Sequence, residues 1–219
     1  MTRLWLLWDS SVGKKVIMAV TGLIMVAYLI THVVANLLVF QGPTRINTYS
    51  AFLHGTGGAL WLARLVLLLS LILHVVAAVQ LAARRVEARP VAYVGGRKPQ
   101  VSTWASRSIR WGGGLILAFL IYHILHFTIG TAHPDFVEGD PYHNVATGFH
   151  NPVVVVVYLV AMAAVGLHLY HGVWSSGRSL GMSPPSPDPL RRSLAMVLAV
   201  LVWLGFTVIP LAVYAGVVR

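Results

Sequence analysis

The sequence predicts an all-α integral membrane bundle of five transmembrane helices, and three observations predict it. The 219 residues are 57% hydrophobic and only 10% charged, with a mean hydropathy of +0.76, whereas soluble domains run near a quarter charged. Five runs without charge, roughly 16–40, 65–83, 111–131, 152–175 and 194–216, are each about as long as the 20 or so apolar residues that cross a bilayer. They are too long for barrel strands, and hydrocarbon gives backbone groups no partner, so each must satisfy its own hydrogen bonds as a helix. The chain, 1–219, reads as one transmembrane domain with no room for a separate soluble one.

The helices are expected at about 16–40, 61–84, 110–131, 152–176 and 193–216. The first follows Lys14-Lys15 and runs 25 residues without a small-residue cleavage site, which reads as an uncleaved helix and not a signal peptide. Gly95-Gly96 and Pro99 break the chain between the second and third spans. Pro184, Pro185, Pro187 and Pro189 do the same between the fourth and fifth. Pro210 is expected to kink the fifth span. That span has no histidine, so it is expected at the periphery of the other four.

Thirteen of the 16 Lys and Arg fall on one side of this layout: Arg3, Lys14 and Lys15; Arg84, Arg85, Arg89, Arg97, Lys98, Arg107 and Arg110; Arg178, Arg191 and Arg192. The positive-inside rule makes that side cytoplasmic, with the amino terminus inside and the carboxyl terminus outside. The loop 131–151 has no Lys or Arg and holds Asp135, Glu138 and Asp140, which suits the outer face. The net charge of +10 therefore belongs to the membrane surface, and no nucleic-acid partner is expected.

Four of the five spans carry a histidine deep inside: His32, His74, His123 and His168. An ionisable or metal-binding side chain at membrane depth points to function, because hydrocarbon cannot hydrate it. Imidazole readily ligates iron in apolar surroundings. A single buried histidine can equally hydrogen-bond to a neighbouring helix, but four at matched heights are harder to explain that way. His32 lies eight residues before Phe40 and His123 eight before Thr131, each ~12 Å from the outer end at 1.5 Å per residue. His74 is ten before Arg84 and His168 ten before Arg178, each ~15 Å from the inner end. The depths pair His32 with His123 and His74 with His168, as two bis-histidine haems would require, with levels only about 5–10 Å apart. His126 and His171, three residues further along the third and fourth helices, lie on nearly the same faces, and periodicity does not exclude them. His54, His133, His143 and His150 fall in or beside the outer loops, where a solvated or interfacial histidine is expected. The absence of cysteine excludes disulfides, covalent c-type haem attachment and iron–sulfur ligands on this chain.

Small residues surround these positions: Gly22, Ala27 and Ala35; Gly112-Gly113-Gly114; Ala161, Ala163, Ala164 and Gly166. They let helices approach closely or leave room for a flat macrocycle. Haem propionates need cationic or hydrogen-bonding partners near the membrane faces. Arg64 is the candidate for the outer haem, and Lys14, Lys15 or Arg110 for the inner one.

Several motifs, in order, carry a resemblance. They are Ser11-Val-Gly-Lys-Lys15 leading into Met18-Ala-Val-Thr-Gly22, His32-Val-Val-Ala-Asn36, Asn47-Thr-Tyr49, Leu73-His74, Tyr122-His123-Ile-Leu, and His168-Leu-Tyr-His-Gly-Val-Trp-Ser175. Through nearly its whole length the chain resembles the membrane-anchor cytochrome b subunit of succinate dehydrogenase and fumarate reductase, in the single-chain, five-helix, di-haem form. The resemblance implies two haems b, one ligated by His32 and His123 nearer the outside, the other by His74 and His168 nearer the cytoplasm. It favours His123 over His126 and His168 over His171, because the motifs place the ligand directly after the aromatic of the third helix and six before the Trp of the fourth.

The resemblance further implies an oxidoreductase subunit of complex II with no dicarboxylate active site and no catalytic residue of its own. It would pass electrons between an iron–sulfur subunit, itself joined to an FAD flavoprotein, and membrane quinone, with menaquinone the usual partner. The setting implied is the bacterial cytoplasmic (inner) membrane, and a higher oligomer of the whole complex is compatible with it. Some relatives have an acidic residue at the outer quinone site, whereas no Asp or Glu lies within any expected helix here, so Tyr49 and His54 are the quinone-side candidates. Two alternatives share the composition: a membrane cytochrome b of another quinone-linked dehydrogenase, and a haem-free membrane anchor.

Overall fold

The computed structural model describes residues 8–88, 104–182 and 188–219. Among them lie seven α-helices and no strand: α1 Ser11–Asn36, α2 Pro43–Gly55, α3 Gly58–Glu87, α4 Trp104–Phe127, α5 Pro141–Gly148, α6 Pro152–Ser179 and α7 Pro189–Tyr214. A 3-10 turn, Leu37–Gln41, prolongs α1. Five helices, α1 with this extension, α3, α4, α6 and α7, are long and apolar enough to cross a bilayer, so the chain is an all-helical multi-pass bundle. Arg3, Arg89, Gly95, Gly96, Arg97, Lys98, Pro99, Pro184, Pro185 and Pro187 lie outside the described residues.

Local chemistry explains where the helices begin. Asp140-Pro141, Asn151-Pro152 and Asp188-Pro189 each place a side-chain oxygen on a backbone N–H of the first turn, with proline at the first helical position. Proline has no N–H to leave unpaired there, and its φ is already helical. Pro189 therefore starts α7 where a breaker was expected, and the fifth span begins four residues before the expected 193. Ser10 caps α1 through Gly13 N at 2.8 Å. α4 ends at Phe127, not 131, because Gly130 takes φ +85° and the chain turns back under the Phe136 ring. α3 continues past Arg84 to Glu87, so one acidic residue does stand on a long helix, at its last turn. α7 runs unbroken through Pro210.

Packing fixes the order of helices around the bundle. α6 packs against α1, α4 and α7, and α1 packs against α3, while α3 and α4 are not closely packed on each other. The circuit α3–α1–α6–α4 places α1 diagonally from α4 and α3 diagonally from α6, with the side between α3 and α4 open. α7 lies against both α6 and α1. The buried core has two parts. One joins Ala161, Val165 and Leu169 of α6 to Ala199 and Val202 of α7. The other closes one end of the bundle, where Val39, Ile46, Val145, Phe149, Tyr158 and Val213 pack together under α2 and α5. That end is the cap end; the other, carrying Lys14, Arg84, Arg110, Arg178 and Arg191, is the basic end. The 131–151 loop is thus a folded cap, with α5 packed on α2.

Candidate functional site

The diagonal pairs of helices bring four histidines together in two sets. The His32 (α1) and His123 (α4) rings have centroids 6.0 Å apart at 87°. The His74 (α3) and His168 (α6) rings have centroids 6.2 Å apart at 57°. A metal bonded to two facing imidazoles at about 2 Å each leaves the ring centres roughly 6 Å apart. Both pairs match that spacing, and the residues fit an iron porphyrin ligated from two sides. His126 and His171 face no histidine across the bundle. His126 instead stacks on His133 of the cap loop, 4.8 Å away, and His171 lies against Trp174.

The two sets sit at well-separated levels. His74 Nδ1 donates to the Met18 carbonyl at 3.0 Å, and a Cβ on Gly22 would stand 3.2 Å from His74 Cε1. His168 Cε1 lies 3.8 Å from where a Cβ on Gly113 would be. Gly22 precedes His32 by ten residues, and Gly113 precedes His123 by ten, so each helix separates the levels by about 15 Å. The 5–10 Å expected from the charged residues was too small. α3 and α6 run 30 and 28 residues, longer than a bilayer core requires, so Arg84 and Arg178 do not mark its edge.

Three of the four rings have a contact at Nδ1. His74 Nδ1 is held by Met18, with Thr21 Oγ1 also 3.4 Å away. His32 Nδ1 lies 3.4 Å from Tyr28 Oη, and the two rings stack at 5.2 Å. His123 Nδ1 lies 3.3 Å from Tyr158 Oη. His168 Nδ1 is buried without a hydrogen-bond partner among the described residues. A ligating imidazole keeps its tautomer and orientation through its second nitrogen, and three of the four rings have such a contact. α7, expected at the periphery, contributes Phe206, whose ring centre is 5.7 Å from that of His32.

At the cap end the sequence missed a buried polar cluster. His126 is 1% exposed and His133, expected to be solvated, 5%. His133 Nε2 donates to Asn144 O at 2.9 Å, and its Nδ1 accepts from Asp135 N at 3.1 Å. Gly148 makes the approach feasible, since a Cβ there would meet His133 Nε2 at 2.9 Å and His126 Cε1 at 3.1 Å. The cap is fastened by Asn47 of α2, which donates to Asp140 Oδ1 at 2.8 Å and accepts from Tyr142 N at 3.1 Å. The backbone N–H of His143, chiefly, and the Asn47 amide hold the Asp140 carboxyl below its usual range.

The remaining candidates are dispersed. Tyr49 is half-buried on α2 and lines an open cleft of about 630 Å³ with Leu38, Arg45, Thr48 and Phe52. His54 is exposed near the end of α2 and donates to Ser50 O at 2.9 Å. Arg64 is exposed on α3 over the Trp61 ring, and both Arg64 and Tyr49 lie within electrostatic reach of Tyr28. Lys15 is exposed, whereas its neighbour Lys14 is only 2% exposed and donates to Trp8 O at 2.5 Å.

Comparison with known proteins bears on the helical membrane bundle that holds these histidines. No curated protein and no solved structure matches the chain. A family model does, over residues 88–208, and it describes the succinate dehydrogenase/fumarate reductase transmembrane subunit. The match spans α4, α5, α6 and most of α7, including His123 and His168, and covers more than half of the chain. The chain belongs to the succinate dehydrogenase/fumarate reductase transmembrane subunit family.

Proposed function

We propose that this subunit is a di-haem cytochrome b that connects the redox chemistry of its partner subunits to membrane quinone, menaquinone being the expected form. His32 and His123 would hold one haem b at the cap end, and His74 and His168 the other at the basic end. The observation that carries this reading is the facing of both pairs at 6.0 and 6.2 Å. When bound, each haem supplies a one-electron iron couple. The chain's own work is to fix the ring planes, exclude water and tune the irons through burial and hydrogen bonds to the ligand rings.

Met18 O accepts from His74 Nδ1 and leaves Nε2 free for iron. The cationic side chains of the basic end suit docking of an acidic iron–sulfur subunit, beside its FAD flavoprotein, from the cytoplasm. The cap end then faces outward, across the inner membrane of a bacterium, where Tyr49 and His54 are the quinone-side candidates, and Arg64 and Lys15 serve propionates at the two levels.

A pyridine haemochrome assay on the purified complex should give two haems b per chain. Replacing His74 or His168 with Ala should remove one haem, and replacing His32 or His123 the other. Retention of both haems by all four single variants would overturn the proposal.

A further inference from the structure

The geometry points to Tyr158 as the positioning residue of the cap-end haem: its hydroxyl joins the axial ligand His123 to the non-ligating His126 and so sets the electron donation of that ligand. The inference rests on the di-haem reading above. It gives a role to the buried His126 and Tyr158, which that reading leaves unused.

Tyr158 is a tyrosine in the apolar stretch of α6, 6% exposed, and a buried phenol needs partners for its hydroxyl. It has two. Oη lies 3.3 Å from His123 Nδ1 and 3.0 Å from His126 Nδ1. The hydroxyl has one proton, so it can donate to one of them only. If His123 binds iron through Nε2, that nitrogen's lone pair is used and the ring proton sits on Nδ1. His123 Nδ1 therefore donates to Tyr158 Oη, and the Tyr158 hydroxyl donates onward to His126 Nδ1. Ligation sets the direction of the first bond, and the second follows with His126 as its Nε2–H tautomer, which gives the phenol proton its acceptor.

The surrounding packing holds this geometry. The Tyr158 ring meets Phe119 edge-on at 4.9 Å and Phe149 at 4.8 Å. His126 is sandwiched between Tyr122, at 13° and 5.3 Å, and His133, at 24° and 4.8 Å. A hydroxyl that donates is a stronger acceptor, since hydrogen bonds in series polarise one another. His126 thus strengthens the bond from His123, gives that imidazole more anionic character and favours the oxidised iron. The basic-end pair is arranged differently: His74 Nδ1 donates to the Met18 carbonyl at 3.0 Å, with the Thr21 hydroxyl 3.4 Å away and itself donating to Ile17 O, so no tyrosine and second histidine stand behind it among the described residues, and His168 Nδ1 has no partner there. The cap-end haem should therefore respond to Tyr158 and the basic-end haem should not.

The test is Tyr158→Phe, which removes only the hydroxyl, studied in the whole complex by haemochrome stoichiometry, electron paramagnetic resonance and a spectroelectrochemical titration. Repeating the titration in a His74→Ala background identifies the haem that moves. The expected result is two haems per chain, with the reduction equilibrium of the cap-end haem shifted threefold to tenfold toward the reduced form and its low-spin signal displaced. A tenfold change in a one-electron couple corresponds to 59 mV. His126→Phe keeps the ring stack but removes the acceptor, should shift the same haem in the same direction by less, and carries the test if Tyr158→Phe does not assemble. Two haems whose potentials and signals do not move, or move equally, would overturn this inference alone. A wild-type complex without two haems would instead overturn the di-haem reading.

Discussion

His74 Nδ1 reaches across from α3 to donate to the carbonyl of Met18 at 3.0 Å, and this bond sets the level of the basic-end pair. Met18 lies fourteen residues before His32 on the same helix, so α1 serves both levels: its own histidine near the cap and its backbone near the basic end. Gly22, one turn above Met18, leaves the space that the His74 ring occupies.

A side chain at Gly22 should therefore act on the haem proposed for the basic end and not on the other. In Gly22→Ala the new Cβ stands 3.2 Å from His74 Cε1, tighter than ordinary contact, and the ring can give by a few tenths of an ångström. That variant should keep two haems. Gly22→Val adds two more carbons against a ring held by Met18, and overpacking of this kind costs about 1–3 kcal/mol. Its haemochrome stoichiometry should fall toward one per chain; an unchanged value of two in Gly22→Val would contradict the placement.

The spans were legible because hydrocarbon imposes length and apolarity together, and charge-free runs report both. Matched depth pairs the histidines of α1 and α4 and those of α3 and α6, and in the bundle those same rings lie 6.0 and 6.2 Å apart. The separation of the levels is not legible there, because Arg84 and Arg178 stand within helices that run on to Glu87 and Ser179 and so do not mark the membrane edges. The burial of His133 was hidden because loop composition resembles solvent exposure, although Asp140-Pro141 is a helix start that could have been read. Tyr158 carried one signal, a hydroxyl in an otherwise apolar run. Phe206 carried none, since a phenylalanine in a membrane helix reads the same whether it meets lipid or an imidazole.

Gly148 offers a test of the cap. An alanine there gains helix propensity worth at most about 1 kcal/mol. It also sets a methyl 2.9 Å from His133 Nε2, which is tied to Asn144 O, and such crowding costs about 1–3 kcal/mol. The steric cost should win. Gly148→Ala should lower the thermal midpoint of the complex in detergent, and Gly148→Val should lower it further. A midpoint at or above wild type would show that the imidazole stack is looser than described.

Phe206 links α7 to the cap-end pair. Its ring is half-buried against the α6–α7 core and 5.7 Å from His32, so truncation to alanine should cost roughly 2–3 kcal/mol, below the range for a fully buried phenylalanine. Phe206→Ala should release the haem proposed for the cap end more readily on heating, while Phe206→Leu restores most of the volume and should behave nearly as wild type. Equal loss of both haems in Phe206→Ala would mean that α7 supports the bundle generally and not the His32 site.

Asp140 connects the cap to pH. Its folded pKa is held below the usual value by the His143 N–H first, and by the Asn47 amide, so its contribution is fully present above the unfolded pKa of about 3.9 and is lost as pH falls through the lower folded value. Asp140 is only half-buried, so solvent screening keeps the effect modest. Asn caps a helix about as well as Asp, whereas Ala forfeits about 1 kcal/mol. Asp140→Asn, which keeps the cap but not the charge, should thus unfold slightly below wild type at pH 7, and Asp140→Ala at a lower temperature still. Below about pH 4 the wild-type midpoint should drop toward that of Asp140→Asn, which has no charge to lose at this position, and the gap between the two should narrow with each step of acid. Parallel midpoint curves from pH 3 to pH 7 would show that the fastening of α5 to α2 owes nothing to the ionised carboxylate.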